Sequence, residues 1–216
     1  MARRPRLKGK IYSAKARLRR MLHHEKRARK KGFELIAGID EVGRGPLAGP
    51  VVASAVIITD LNFIHEINDS KQLSPKKRNL AYSEILNNAI IGIGMAGEDV
   101  VDAMNIRRAT ILAMEKAVMN LGIKPDFLLI DGRIKLNLPY PQKHIIRGDS
   151  KSLSIAAASI IAKVTRDTLM MTYHSIYPKY RFDLHKGYGT KTHMKRIVKH
   201  GLSPIHRKTF KIKVLR

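Results

Sequence analysis

The chain has 216 residues, no cysteine, and 42 Lys and Arg against 17 Asp and Glu, for a formal net charge of +25. Its 44% hydrophobic content excludes a purely disordered chain, and the missing cysteines exclude a disulfide framework and thiolate metal sites. No apolar run reaches the roughly 18–20 residues of a membrane span, and no apolar stretch follows the basic N-terminus as in a secretory signal, so a cytoplasmic protein without a membrane partner is expected; residues 1–32, rich in Arg and poor in acids, leave a mitochondrial-type transit peptide as the alternative.

In chain order, residues 1–32 form a basic extension with 14 Lys and Arg and a single acid, Glu25. Within it Tyr12 to Lys31 lacks Gly and Pro. It suits a basic helix or an arm that orders on nucleic acid, and its few apolar residues predict a poor core element. Leu35 to Ile39 reads as a short strand ending in Asp40, and the turn Gly43-Arg44-Gly45-Pro46 leads to a second strand, Val51 to Thr59. Ser74-Pro75 has the residue types of a helix N-cap and first position, opening a helix to about Asn88. Ile90 to Met95 is a third strand. Asn105 opens a helix through Leu121 that Gly122 stops. Phe127 to Ile130 is a fourth strand ending in Asp131, and His144 to Arg147 a fifth, leading into Gly148-Asp149. Leu153 to about Met171 is a helix, and Thr190 to Lys199 is a last basic helix closed by Gly201. Strands alternating with helices give an α/β fold. No internal repeat or linker divides residues 33–216, so they are read as one domain.

The charge points to a partner. The extension carries +13, and residues 33–216 still carry +12. A basic body as well as a basic tail suits a polyanion, through release of counterions from phosphates. Anionic membrane is the weaker rival, since no strongly apolar helix face accompanies the charge.

The acids point to chemistry. Asp is unfavourable in strands, yet Asp40 and Asp131 each end an apolar strand, Asp149 follows a third, and Glu41 neighbours Asp40. The carboxyl ends of strands in an α/β sheet are where ligands bind. Each acid alone has the bland reading of a turn residue, with Asp149 as a helix cap. Together, in a protein whose partner is phosphate-rich, they repel that partner unless a cation lies between. Oxygen-only ligands suit hard cations such as Mg²⁺ or Mn²⁺, and two such ions hydrolyse phosphodiesters.

Around the acids lie polar segments. Gly43-Arg44-Gly45 follows them directly, and its glycines let a ligand approach the backbone. Lys71, Lys186 and Thr190 have phosphate-binding side chains. Tyr188, between two glycines, is either a stacking platform for a sugar or base or a surface loop tyrosine. The nine histidines show no metal-ligand spacing, and most are expected at the surface or facing phosphate.

Several blocks carry a family resemblance. Asp40-Glu41-Val42-Gly43-Arg44-Gly45-Pro46-Leu47-Ala48-Gly49-Pro50 resembles the opening motif of ribonuclease HII, the type 2 ribonuclease H. So do Asn68-Asp69-Ser70-Lys71-Gln72-Leu73, Ile130-Asp131-Gly132, Gly148-Asp149-Ser150-Lys151, the helix segment from Ala156 to Asp167, and His185-Lys186-Gly187-Tyr188-Gly189-Thr190. The blocks keep the family's order over roughly residues 33–210. The resemblance implies a ribonuclease H-like mixed sheet flanked by helices, with a helical C-terminal part. It implies four metal-binding, catalytic acids at Asp40, Glu41, Asp131 and Asp149. It implies that Gly43-Arg44-Gly45 grips 2′-hydroxyls at an RNA–DNA junction and that Tyr188 stacks on the next deoxyribose. The implied reaction is cleavage of RNA–DNA hybrids and on the 5′ side of a ribonucleotide embedded in DNA, leaving 3′-hydroxyl and 5′-phosphate ends, in ribonucleotide removal. A monomer is expected, with the basic extension lying outside the family core. The related ribonuclease HIII carries an N-terminal domain that this extension is too short and too charged to match. The rival reading is a non-enzymatic nucleic-acid-binding protein on the same fold, and the acids argue against it.

Overall fold

The computed structural model describes residues 17–65 and 67–211. The expectations for residues 1–16 of the basic extension therefore lie outside the described residues.

The elements are α1 (His23–Arg29), β1 (Ile36–Val42), β2 (Val51–Ile58), α2 (Pro75–Asn88), β3 (Ala89–Ala96), α3 (Glu98–Met119), β4 (Phe127–Asp131), β5 (Gln142–Ile145), α4 (Leu153–Ile176), α5 (Phe182–His185) and α6 (Lys191–His200). Five strands form one sheet in the order β3-β2-β1-β4-β5. β1, β2 and β3 are antiparallel neighbours, whereas β1–β4 and β4–β5 are parallel. The sheet is mixed, as expected, and helices cover both faces.

Side-chain alternation along the strands decides which helix each face receives. Ala37, Ile39, Val51, Ala53, Ala55 and Ile57 pack against Ala109, Ala113, Met114 and Ala117 of α3. Val56 on the other face joins the small-residue run Ala156-Ala157-Ala158 and Ile160 of α4. The backbone of α4 comes so close to β1 that a Cβ at Gly38 would lie 2.2 Å from the Ser154 carbonyl carbon. Asp40 is two residues further along the same face of β1.

Several sequence expectations shift. β1 runs on to Val42, pairing with β2 as far as Val42–Val52, so Asp40 and Glu41 lie inside the strand rather than beyond it. β5 lies two residues earlier than expected, because Arg147 takes the left-handed conformation (φ 55°) that ends a strand. The helix expected from Asn105 does begin there: Asn105 has φ 70°, and its side chain accepts from the Arg107 and Arg108 N–H groups. A further helical stretch, Glu98 to Met104, precedes it and was not anticipated.

The basic helix also departs from its reading as a poor core element. Met21 is buried beside Leu153 and Ile161, and Ala28 is buried with Ile36, Leu129 and Ile155. Between them Glu25 is buried, and its Oε1 accepts from the Ser152 hydroxyl (2.6 Å), the Ser154 hydroxyl (2.8 Å) and the Ser154 N–H (3.1 Å). A carboxylate among donors at the start of α4 also meets the positive end of that helix. A few contacts at helical spacing therefore fix a segment whose average composition is polar.

Candidate active site

Asp40, Glu41 and Asp131 converge: one carboxylate oxygen from each lies within 4.8 Å of the others. Strand order causes this, because β1 and β4 are parallel neighbours in a register that pairs Ile39 with Ile130. The next residue on each strand is an aspartate. Where that parallel ladder ends, Asp40 Oδ1 accepts the N–H of Glu41 at 2.8 Å. Ser159 of α4 also bonds Asp40, and the Ser159 hydroxyl meets that of Ser70 at 2.9 Å. This ties the loop preceding α2 to the carboxylate.

The electrostatics of the group are unfavourable as it stands. Burial, then Glu41 and Asp131, push Asp40 well above the usual carboxylate range. Burial also raises Glu41, against the opposing pull of Arg44. Glu41 Oε1 accepts from Arg44 Nη1 at 3.2 Å, but its Oε2 is buried with no hydrogen-bond partner. Buried carboxylate oxygens are normally paired or bound to a cation. An all-carboxylate set with an orphaned oxygen fits a hard divalent ion.

Asp149 stands apart from this trio. It is buried on a 3₁₀ turn, Gly148–Ser150, whose Gly148 N–H donates to Asp131 Oδ1 at 2.6 Å. Burial, Asp69 and Asp131 raise its carboxyl, against Lys71. It does not cap α4, whose N-cap is Ser152. Lys71 is brought to the acids: burial disfavours its charge, and Asp69, Asp40, Asp149 and Asp131 together outweigh this and raise its pKa. Asp69 thus belongs to the same electrostatic neighbourhood, a role the sequence reading did not assign.

The turn from Gly43 to Pro50 is held by two arginines that sequence reasoning missed. Both are fully buried. Arg207 donates through Nε to the Gly49 carbonyl, through Nη1 to those of Arg44 and Pro46, and through Nη2 to those of Gly43 and Gly49. Arg166 donates to the carbonyls of Pro50, Ala48 and Lys186. Gly43 has φ 95°, and a Cβ there would meet Arg166 Nε at 2.4 Å. Gly45 differs: a Cβ would meet nothing within 4 Å. Packing within the protein therefore does not demand glycine at 45, and the position opens outward.

Tyr188 is 40% exposed, with the Arg166 guanidinium 5.8 Å from its ring centre. Lys186 and Thr190 are engaged locally: Lys186 Nζ donates to the Asp183 carbonyl, and Thr190 caps α6 by accepting from the His193 N–H. Three of the nine histidines are exceptions to the surface expectation. His185, His193 and His206 are buried in one stack, with 4.1 Å between the rings of His185 and His193. His206 Nδ1 accepts from the Ser203 N–H, which leaves its Nε2–H to donate to His193 Nε2 at 3.0 Å. His193 Nδ1–H then donates to the Tyr188 carbonyl at 3.0 Å. Every ring has a defined neutral tautomer, and burial holds His193 and His206 down to about 4.

Comparison with known proteins agrees with this geometry. The profile of the family described as Ribonuclease HII matches residues 37–213. Ribonuclease HII of Enterococcus faecalis is 53% identical over 191 residues, 88% of this chain and 74% of that protein. Ribonuclease HII of Geotalea uraniireducens is 53% identical over 192 residues, 88% of this chain and 89% of that protein. The crystal structure of ribonuclease H2 from Pyrococcus horikoshii superimposes with a TM-score of 0.67 at 25% identity, covering 82% of this chain and 94% of that one.

Proposed function

The chain belongs to the ribonuclease HII family of ribonuclease H hydrolases, and from that premise we propose that it cleaves the RNA strand of RNA–DNA hybrids and cuts 5′ of single ribonucleotides in duplex DNA. The products are 3′-hydroxyl and 5′-phosphate ends, as needed for ribonucleotide excision repair in the cytoplasm, by a monomer. Residues 33–216 are the catalytic domain, and residues 1–32 are its basic extension.

The observation that carries the reading is the carboxylate trio with its unpartnered Glu41 oxygen inside a chain of charge +25. Asp40, Glu41 and Asp131 would hold one Mg²⁺ or Mn²⁺, and Asp40 with Asp149 would help to hold a second. Such a pair of ions supplies water activation and stabilisation of the leaving oxygen. The protein's own share is to orient them. Ser159 and the Glu41 N–H fix the Asp40 carboxylate, and the Gly148 N–H fixes that of Asp131. Lys71 places a cation beside the acids for a phosphate of the cut strand.

Gly43-Arg44-Gly45 reads the 2′-hydroxyl, the group that separates RNA from DNA. The open space at Gly45 supports this, because a side chain there would fill room that the protein does not use. Arg166 and Arg207 position that turn. Tyr188 offers an exposed ring to the deoxyribose beyond the junction. Lys186 and Thr190 complete the backbone contacts.

The test is incubation with a DNA duplex carrying one ribonucleotide, with Mg²⁺ or Mn²⁺, beside an all-DNA duplex. Cutting of the first alone, with Asp40→Asn lowering the rate by about 10³-fold or more while binding persists, is expected. Binding without cutting by the wild type would make the chain a binding protein, and cutting of both duplexes would make it a general nuclease.

A further inference from the structure

Lys71 stands on the loop that precedes α2, and the residues around it are tied down. Ile67 and Leu73 are buried in one cluster with Ala156, Ala157 and Ile160 of α4. Ser70 is buried too, and its hydroxyl meets that of Ser159 at 2.9 Å. Lys71 itself is exposed between these anchors.

The peptide unit before Lys71 has both of its polar groups bonded. Its N–H, that of Lys71, donates to Asp69 Oδ1 at 3.0 Å. Its carbonyl, that of Ser70, accepts from Arg78 Nε at 2.8 Å. Arg78 Nη2 donates at 2.9 Å to the Leu73 carbonyl, on the other side of Lys71. One half-buried guanidinium therefore brackets the lysine from both ends of its turn. The Gln72 N–H closes that turn on the Asp69 carbonyl at 2.9 Å. Fixing these groups fixes the direction in which the Lys71 side chain leaves the backbone.

Helix stability does not ask for an arginine at this place. Arg78 lies near the N-terminal end of α2, whose first turn has no acid, and the helix dipole disfavours cations there. The planar fork of arginine, in contrast, spans two carbonyls that a single ammonium cannot span in the same way. The lysine that it brackets lies among carboxylates: Asp69, Asp40, Asp149 and Asp131 all act on its ammonium. A phosphate drawn to cations on those acids comes within reach of the same ammonium, and small errors of placement at such a contact are costly.

We infer that Arg78, assisted by Ser70, is a positioning residue for Lys71, holding its ammonium at the acid pocket for a backbone phosphate of the nucleic acid. The inference rests on the nucleic-acid substrate and the Lys71 contact proposed above. Arg78 acts through Lys71 rather than on the phosphate itself. The loop then shares the construction of the glycine turn, where Arg166 and Arg207 hold backbone carbonyls.

The experiment is a double-mutant cycle on affinity for a short all-DNA duplex in Ca²⁺, which takes oxygen ligands, at one fixed ionic strength. Melting temperatures are measured alongside. Lys71→Ala is expected to weaken binding severalfold. Arg78→Lys keeps the charge but loses the fork, and is expected to weaken binding by a similar factor. The double variant is expected to bind no more weakly than Lys71→Ala alone, because an absent lysine cannot be misplaced. Ser70→Ala cuts only the tie to Ser159, and is expected to act in the same direction by a smaller factor, again only while Lys71 is present. A merely structural role would lower Tm and leave affinity unchanged. Wild-type affinity in both Arg78→Lys and Ser70→Ala, or losses that multiply in full in the double variants, overturns the inference. If Arg78→Lys does not fold, Ser70→Ala with and without Lys71→Ala decides the question. Wild-type affinity in Lys71→Ala overturns the inference as well, and removes the Lys71 contact from the reading above. Because no ribonucleotide and no cleavage are involved, a chain that fails to cut leaves the cycle readable, and an additive cycle leaves the cleavage proposal standing.

Discussion

The acid pocket and the glycine turn beside it are adjacent in sequence and opposite in construction. In the pocket, charges of one sign are buried together and a carboxylate oxygen has no partner. In the turn, two buried arginines spend their donors on backbone carbonyls, Arg207 through five contacts and Arg166 through three. Buried polar groups are stable when satisfied and costly when not. The turn is therefore scaffold that holds its shape unaided. The pocket, with its unpartnered buried carboxylate oxygen, has the chemistry of a cation site.

The contrast can be broken at the scaffold first, where the largest effect is expected. Arg207→Ala strips partners from the carbonyls of Gly43, Arg44, Pro46 and Gly49. The expected loss is about 3–4 kcal/mol, or roughly 10 °C in Tm, together with weaker discrimination between ribonucleotide-containing and all-DNA duplexes. Arg207→Lys should rescue little, because an ammonium has three donors and no planar fork to span these acceptors. A lysine variant with wild-type melting and discrimination would show that charge alone holds the turn.

A smaller effect is expected from the histidine stack behind Tyr188. His193 and His206 have folded pKa values of about 4, below the unfolded value of 6.5. The unfolded chain then binds more protons between those values, so their contribution is complete above about pH 6.5 and is lost as pH falls toward 4. Melting curves of the wild type and of His206→Gln should separate on this axis, with the variant showing a shallower loss, on the order of 5 °C less between pH 7 and pH 5. Parallel curves would remove the stack as the acid-sensitive part of the scaffold.

Much of this molecule was legible in its sequence, for physical reasons that also explain the rest. The apolar strands and the N-cap serine of α2 carry local signals that tertiary context did not override. Asp40, Glu41 and Asp131 were visible because acids at the ends of apolar runs are out of place unless they have work to do. That Asp40 and Asp131 would be neighbours depended on β1 pairing in parallel with β4, some 90 residues away, which no local pattern encodes. Arg166 and Arg207 were invisible for the same reason, since a buried arginine and a surface arginine read alike in a basic chain. The basic helix was undervalued because composition averages over a face: Met21, Glu25 and Ala28 are few, but they fall on the one side that meets the core. Ile146 and Arg147 misled the strand boundary, because an apolar residue before a left-handed turn is exposed here rather than paired.

The central claim is that the pocket of Asp40, Glu41 and Asp131 is completed by a divalent cation. Its most direct measurement is the melting temperature of the wild type and of Asp40→Asn, each in EDTA and in saturating Mn²⁺. The wild type should gain about 5 °C or more from the ion. Asp40→Asn, relieved of a buried charge, should melt higher than the wild type in EDTA and gain almost nothing from Mn²⁺. An Asp40→Asn protein that melts lower than the wild type in EDTA and gains as much as it does from Mn²⁺ would contradict the claim.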